Sequence, residues 1–127
     1  MIIGTILNVG AGESETYYTP WTNAMGNWAK MVFEILNISG AEMQVTVQTK
    51  TEEEPDSAAF DAATREWAMP TAVSGVGLHP WDAGKTLSDS TTAGLLQLIR
   101  FKIAVTSTGS GTGYINCRPL NPSWQTH

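Results

Sequence analysis

Between Glu42 and Lys50 the chain alternates without a break. Met43, Val45, Val47 and Thr49 fall on one parity, and Glu42, Gln44, Thr46, Gln48 and Lys50 on the other. Side chains of a strand point to opposite faces with a period of two, so this stretch reads as a strand with one dry and one wet face. Just upstream, Trp28 to Ile38 is rich in β-branched and aromatic residues. There Ala29, Met31, Phe33 and Ile35 share one side, with Lys30 and Glu34 on the other. The link Ser39-Gly40-Ala41 is short and its glycine admits a positive φ, so the two strands are expected to pair as an antiparallel hairpin. A second hairpin is expected where Ile99, Phe101, Ile103 and Val105 alternate with polar residues, pass through the loop Ser107 to Gly113, and return as Tyr114 to Arg118. Pro119 and Pro122 donate no ladder hydrogen bond, so the last strand is expected to stop near Arg118 or to run along an edge.

Weaker strand patterns occur at Ile2 to Leu7, Thr16 to Tyr18, Trp67 to Met69 and Thr71 to Leu78. Glu52 to Arg65, acidic and then alanine-rich, reads as one short helix or an ordered loop, and Thr92 to Leu98 allows a turn of helix. Several short one-faced strands separated by Gly, Pro, Asn and Ser clusters bury their apolar faces most simply by stacking two sheets. The fold class expected is all-β: an antiparallel β-sandwich, jelly-roll-like, with at most one or two short helices. Residues 1–127 are expected to form a single domain, since 127 residues suit one domain of ordinary size.

Charge narrows the function. Twelve carboxylates against seven lysines and arginines give a net charge of −5. Nucleic-acid binders need cations to displace phosphate counterions, and adhesion to an anionic membrane needs them too, so neither nucleic acid nor membrane is expected as a partner. Cys117 is the only cysteine, which rules out an internal disulfide. Met1-Ile2-Ile3-Gly4-Thr5-Ile6-Leu7 lacks the basic segment and the apolar length of a signal peptide, and no apolar run approaches the roughly 20 residues that span a bilayer.

Candidate chemistry is thin. Gly109-Ser110-Gly111-Thr112-Gly113 has the glycine content of a phosphate-cradling loop, but strand-like residues follow it where such a loop needs a helix N-terminus. His79 and Asp82, in Leu78-His79-Pro80-Trp81-Asp82, are the one pairing with acid–base potential. No Gly-x-Ser-x-Gly elbow accompanies them, and Cys117 lies within a strand pattern, where a lone thiol behaves as a small hydrophobe. Glu52-Glu53-Glu54-Pro55-Asp56 lacks the spacing of a calcium loop and reads as a solvated turn. The expectation is therefore a protein that is not an enzyme and has no metal and no cofactor.

The five tryptophans are the informative excess. Trp21 follows Pro20, Trp81 follows Pro80, and Trp124 comes two residues after Pro122, all in turn-like contexts. Such residues either plug the ends of a sandwich or present a contact surface, because aromatics carry much interface energy at low entropic cost. With Tyr17 and Tyr18 beside Trp21, the candidate interface residues are Tyr17, Tyr18, Trp21, Trp81 and Trp124.

The order of segments also resembles a known class. An aromatic entry, Tyr17-Tyr18-Thr19-Pro20-Trp21, leads into Phe33 to Gly40 and Val45 to Lys50. A cation-bearing strand, Leu98 to Ile103, and a closing Arg118-Pro119-Leu120-Asn121-Pro122-Ser123-Trp124 complete the pattern. From Trp28 to Trp124 this resembles the small β-sandwich structural proteins of tailed-phage virions, especially capsid decoration (cement) proteins. The resemblance implies a non-enzymatic virion protein, made in the host cytoplasm, whose partner is the major capsid protein or another virion protein, with a homo-oligomer as a further option. A tail, neck or fibre component of a virion fits the same pattern. A carbohydrate-binding module stacking sugars on exposed tryptophans is the alternative from a different class.

Overall fold

A computed structural model describes residues 5–56, 65–84, 94–109 and 111–125. They form ten strands: β1 (Thr5–Val9), β2 (Ser14–Tyr18), β3 (Thr22–Asn23), β4 (Trp28–Ser39), β5 (Ala41–Lys50), β6 (Glu66–Ala68), β7 (Gly77–Ala83), β8 (Leu98–Ser107), β9 (Gly113–Pro119) and β10 (Ser123–Gln125). One sheet carries β1, β9 with β10, β4 and β7, and the other carries β2 with β3, β8, β5 and β6. Every pairing is antiparallel. Because β2 and β3 run along one edge of β8, and β9 and β10 along one edge of β4, each pair acts as one interrupted strand. Eight strands in two facing sheets, paired first with last and second with next to last, give the doubly folded path of a jelly roll.

Both expected hairpins are corrected by this arrangement. β4 and β5 do not pair with each other: Gly40, at φ +63°, carries the chain from one sheet into the other, and β5 pairs with β8 and β6 instead. Likewise β8 and β9 lie in different sheets, joined by the glycine-rich loop. The dry faces are as the alternation requires, but they face each other across the core rather than lying side by side. Alternation fixes which side of a strand is dry and is silent about whether the reversal bends within a sheet or between sheets. The two crossings meet at one end of the sandwich. Thr108 N–H donates to the Gly40 carbonyl at 3.0 Å, and a side chain at Gly113 would sit 2.4 Å from that oxygen.

Inside lie Met31, Phe33 and Ile35 from β4, Met43, Val45 and Val47 from β5, Ile99, Ile103 and Val105 from β8, and Ile115 and Cys117 from β9. A bulge in β4 between Ile35 and Asn37 shifts the parity, so that Ile38 rejoins the core while Leu36 points out. Burial holds the Cys117 thiol protonated, pushing its pKa from 9.0 up to about 11. Native protein at pH 8 should therefore leave Cys117 unmodified by a maleimide that labels it within minutes in denaturant. Rapid native labelling would show the strand opening locally. The stability that this thiol contributes is full below pH 9 and is lost as pH rises through about 11.

Thr71 to Leu78 is also corrected. Its first residues hold only an isolated bridge, Val73 to Met43, and the regular strand runs later, from Gly77 through Pro80 to Ala83. Pro80 is tolerated because of its register. It lies opposite Val32, whose carbonyl accepts from Leu120 N–H on the far side of β4. The Val32–Pro80 pair therefore exchanges no hydrogen bonds, and the missing N–H faces the open edge. Gly94 to Gln97 is irregular rather than helical, and the helix expected in the alanine-rich stretch Ser57 to Ala63 falls outside the described residues.

Candidate functional site: a proline-broken groove beside a cation–aromatic stack

Two facing strands are interrupted in the same way. On β8, Tyr18 lies opposite Lys102 and Thr22 opposite Ile99, so four steps on one chain match three on the other. On β4, Pro119 lies opposite Phe33 and Ser123 opposite Lys30, again with one residue in excess. The surplus sits at Thr19-Pro20-Trp21 in one sheet and at Leu120-Asn121-Pro122 in the other. Proline supplies no N–H to close the ladder, so both strands are bowed by a bulge there. Thr19 N–H still reaches the Phe101 carbonyl at 3.0 Å, and its hydroxyl accepts Phe101 N–H at 2.9 Å.

Between the two bowed segments lies a groove of about 370 Å³. Its floor is Ile99 and Phe101 of β8, and its walls are Pro20 on one side and Pro119, Leu120 and Pro122 on the other. Trp124, opposite the buried Ala29 and half-buried itself, also lines it, as does Met25, 72% exposed. Thr19, Thr22, Asn23 and Asn121 supply the polar groups, and among the described residues no ionisable side chain lines it. A cleft of this kind takes apolar side chains and fixes their backbone by neutral hydrogen bonds.

Outside the groove, the same Pro20-Trp21 break throws Trp21 onto the outer face of the second sheet. The Arg100 guanidinium carbon lies 4.2 Å from the Tyr18 ring centroid and 4.6 Å from that of Trp21. Lys50 Nζ lies 5.2 Å from the Trp21 ring. Lys50 and Gln48, wet by alternation, are in fact buried under this cover and under the acidic turn. The Lys50 ammonium pairs with Asp56 at 2.8 Å and donates to the Glu54 carbonyl at 2.8 Å. Glu54 binds Arg65 at 2.7 Å and the Thr51 amide at 2.9 Å. The Arg65 hydrogen bond above all, then the Thr51 amide, hold its carboxyl at about 2, below the ordinary 4.5. The clasp is therefore intact above pH 4.5 and is lost as pH falls through about 2. The acidic run is not merely solvated: two of its carboxylates fasten a turn over a buried lysine.

The five candidate interface residues thus separate. Trp124 lines the groove, and Trp21 and Tyr18 build the stack beside it. Tyr17 faces inward and closes the gap between β1 and β2, its hydroxyl donating to the Asn8 carbonyl at 2.5 Å. Trp81 lies in the core at 6% exposure, in a strand rather than a turn. It packs against Phe33 and Phe101 at centroid distances of 6.1 and 6.4 Å, and its indole N–H donates to the Trp67 carbonyl at 2.9 Å. His79 and Asp82 are not brought together: three residues apart on β7, they take opposite faces, His79 against the Gly75 carbonyl and Asp82 beside Lys30. No protein-family model, curated protein or solved structure shows a significant match to this chain.

Sequence reasoning missed the groove because its walls lie about a hundred positions apart in the chain. The signal available was the recurrence of proline just before tryptophan, Pro20-Trp21 and Pro122-Ser123-Trp124, in strands that pass each other.

Proposed function

We propose that this chain is a non-enzymatic assembly protein that attaches to a partner protein by seating an apolar segment in the proline-broken groove. Among assemblies, a virion shell carrying it as a decoration protein is the reading we favour. The observation that carries the proposal is the groove itself. Among the described residues it is an uncharged, mostly apolar cleft whose lining includes Trp124 and the exposed Met25, on a chain whose net charge of −5 disfavours clumping of its other surfaces. A stiff sandwich loses little entropy on docking, and many copies on one shell multiply a modest contact. Jelly rolls are common in capsid proteins and in lectins, which supports the reading by analogy of fold only.

The test is sedimentation with assembled shells and with free capsid subunits from the source of the chain. Wild-type protein should sediment with shells and bind free subunits at least about tenfold more weakly, and Met25→Asp should lose about tenfold of the shell affinity. Equal binding to shells and subunits, or binding indifferent to Met25→Asp, would overturn the proposal. The carbohydrate-platform alternative draws little support, because none of the five tryptophans is exposed and Trp21 already has cations on its ring.

A further inference from the structure

The described cations of the molecule are unevenly paired, and the two without a carboxylate share the outer face of the second sheet. Among the described residues, Lys30, Lys50, Arg65 and Arg118 each face a carboxylate. Arg100 and Lys102 do not. Arg100 is nevertheless held fast: it is stacked between Tyr18 and Trp21, its Nε donates to Gln48 Oε1 at 2.7 Å, and its Nη1 donates to the Asp56 backbone carbonyl at 3.1 Å. All four partners are neutral groups, and Nη2 has no hydrogen-bond acceptor among the described residues. The guanidinium is therefore oriented without being neutralised. Lys102 shares this face two residues along β8, about 7 Å away by the strand repeat. It lies between Tyr18 on β2 and Thr46 on β5, and the next residue of that parity is the small Ala104.

We propose that Arg100 and Lys102, walled by Tyr18, form a seat for carboxylate side chains of an acidic polypeptide segment on a partner protein. The proposal rests on the reading of this chain as a docking protein but uses a surface separate from the groove. Guanidinium and carboxylate match in planar geometry, and here the arginine has already lost the rotamer freedom that binding otherwise takes from it. Charge complementarity selects the occupant. Two cations on a chain of net charge −5 suit one or two carboxylates, whereas a phosphate polymer needs a longer row of cations and would meet the surrounding acidic surface.

The experiment is an ¹⁵N titration of the full chain with hexaglutamate, alongside hexalysine and oligothymidylate. Hexaglutamate should give saturable shifts at the Arg100 side-chain N–H and at the amides of Lys102, Tyr18 and Thr46. The apparent affinity should fall about tenfold in Lys102→Glu and by a similar factor between about 50 and 500 mM NaCl. Hexalysine should leave these signals unmoved. Lys102→Gln, expected to give a smaller loss, replaces the charge reversal should that variant fail to fold. Shifts that do not saturate, an affinity unchanged in the Lys102 variant, or tighter binding of oligothymidylate would overturn the proposal. Met25→Asp should keep the hexaglutamate response in full, so failure of the groove and failure of this seat read out separately.

Discussion

Replacing Trp81 by alanine should lower the unfolding free energy by about 3–5 kcal/mol, the range for removing a large aromatic from a packed interior. Trp81 lies in an edge strand, where losses are ordinarily small, but its ring turns inward and meets Phe33 and Phe101 in tilted and edge-on contacts. Those two rings also pack on each other at 4.9 Å, so the cavity would open in the middle of a three-ring cluster drawn from both sheets. The indole N–H is the second loss: it joins β7 of one sheet to β6 of the other, and alanine would leave the Trp67 carbonyl without that donor. Urea denaturation followed by circular dichroism measures the effect. A loss below about 1 kcal/mol would mean that the ring does not hold this flank closed.

Gly113→Ala should cost about 3 kcal/mol by overpacking, although it adds a single methyl group. The new Cβ would lie 2.4 Å from the Gly40 carbonyl oxygen, 2.8 Å from its carbon and 3.0 Å from the Ala41 Cβ. Backbone atoms cannot swing aside as the end of a long side chain can. Gly40 is itself fixed by its positive φ and by the Thr108 amide bound to its carbonyl. Gly111→Ala, in the same loop, is the control: its added Cβ meets nothing within 4 Å among the described residues, so the change should stay within about 0.5 kcal/mol of neutral. Similar midpoints for the two variants in one denaturation series would show that the crossing of the chains is looser than the structure has it.

Residue parity made the two-sheet architecture legible. Glu42 to Lys50, Ile99 to Val105 and Ala29 to Ile35 each declare a dry side, and three such strands in so short a chain have to stack. Strand partners were not legible, because Ser39-Gly40-Ala41 has the composition of a hairpin turn and differs from one only in where its strands find hydrogen bonds. Pro80 concealed β7 for a related reason. Whether a proline interrupts a strand depends on which way its missing N–H would have pointed, and that is decided by Val32 and Leu120 across the sheet. Of the candidate site, Tyr18, Trp21 and Trp124 were found by their aromatic excess. Arg100 and Lys102 carried only the ordinary mark of a wet face, and the burial of Lys50 depends on a turn whose position the alternation does not encode.

The order in which the chain visits its two sheets bears on how it reaches the native state. Only β5 and β6, among consecutive strands, are ladder partners, while the first strand waits for the ninth and the second for the eighth. Almost no pairing can be completed before most of the polypeptide is present, so the entropy of closing large loops falls due before contacts repay it, and folding belongs to the slow, non-local regime. A break anywhere between β4 and β8 divides both layers at once. Neither fragment then holds a finished layer, and the molecule is assembled whole or not at all.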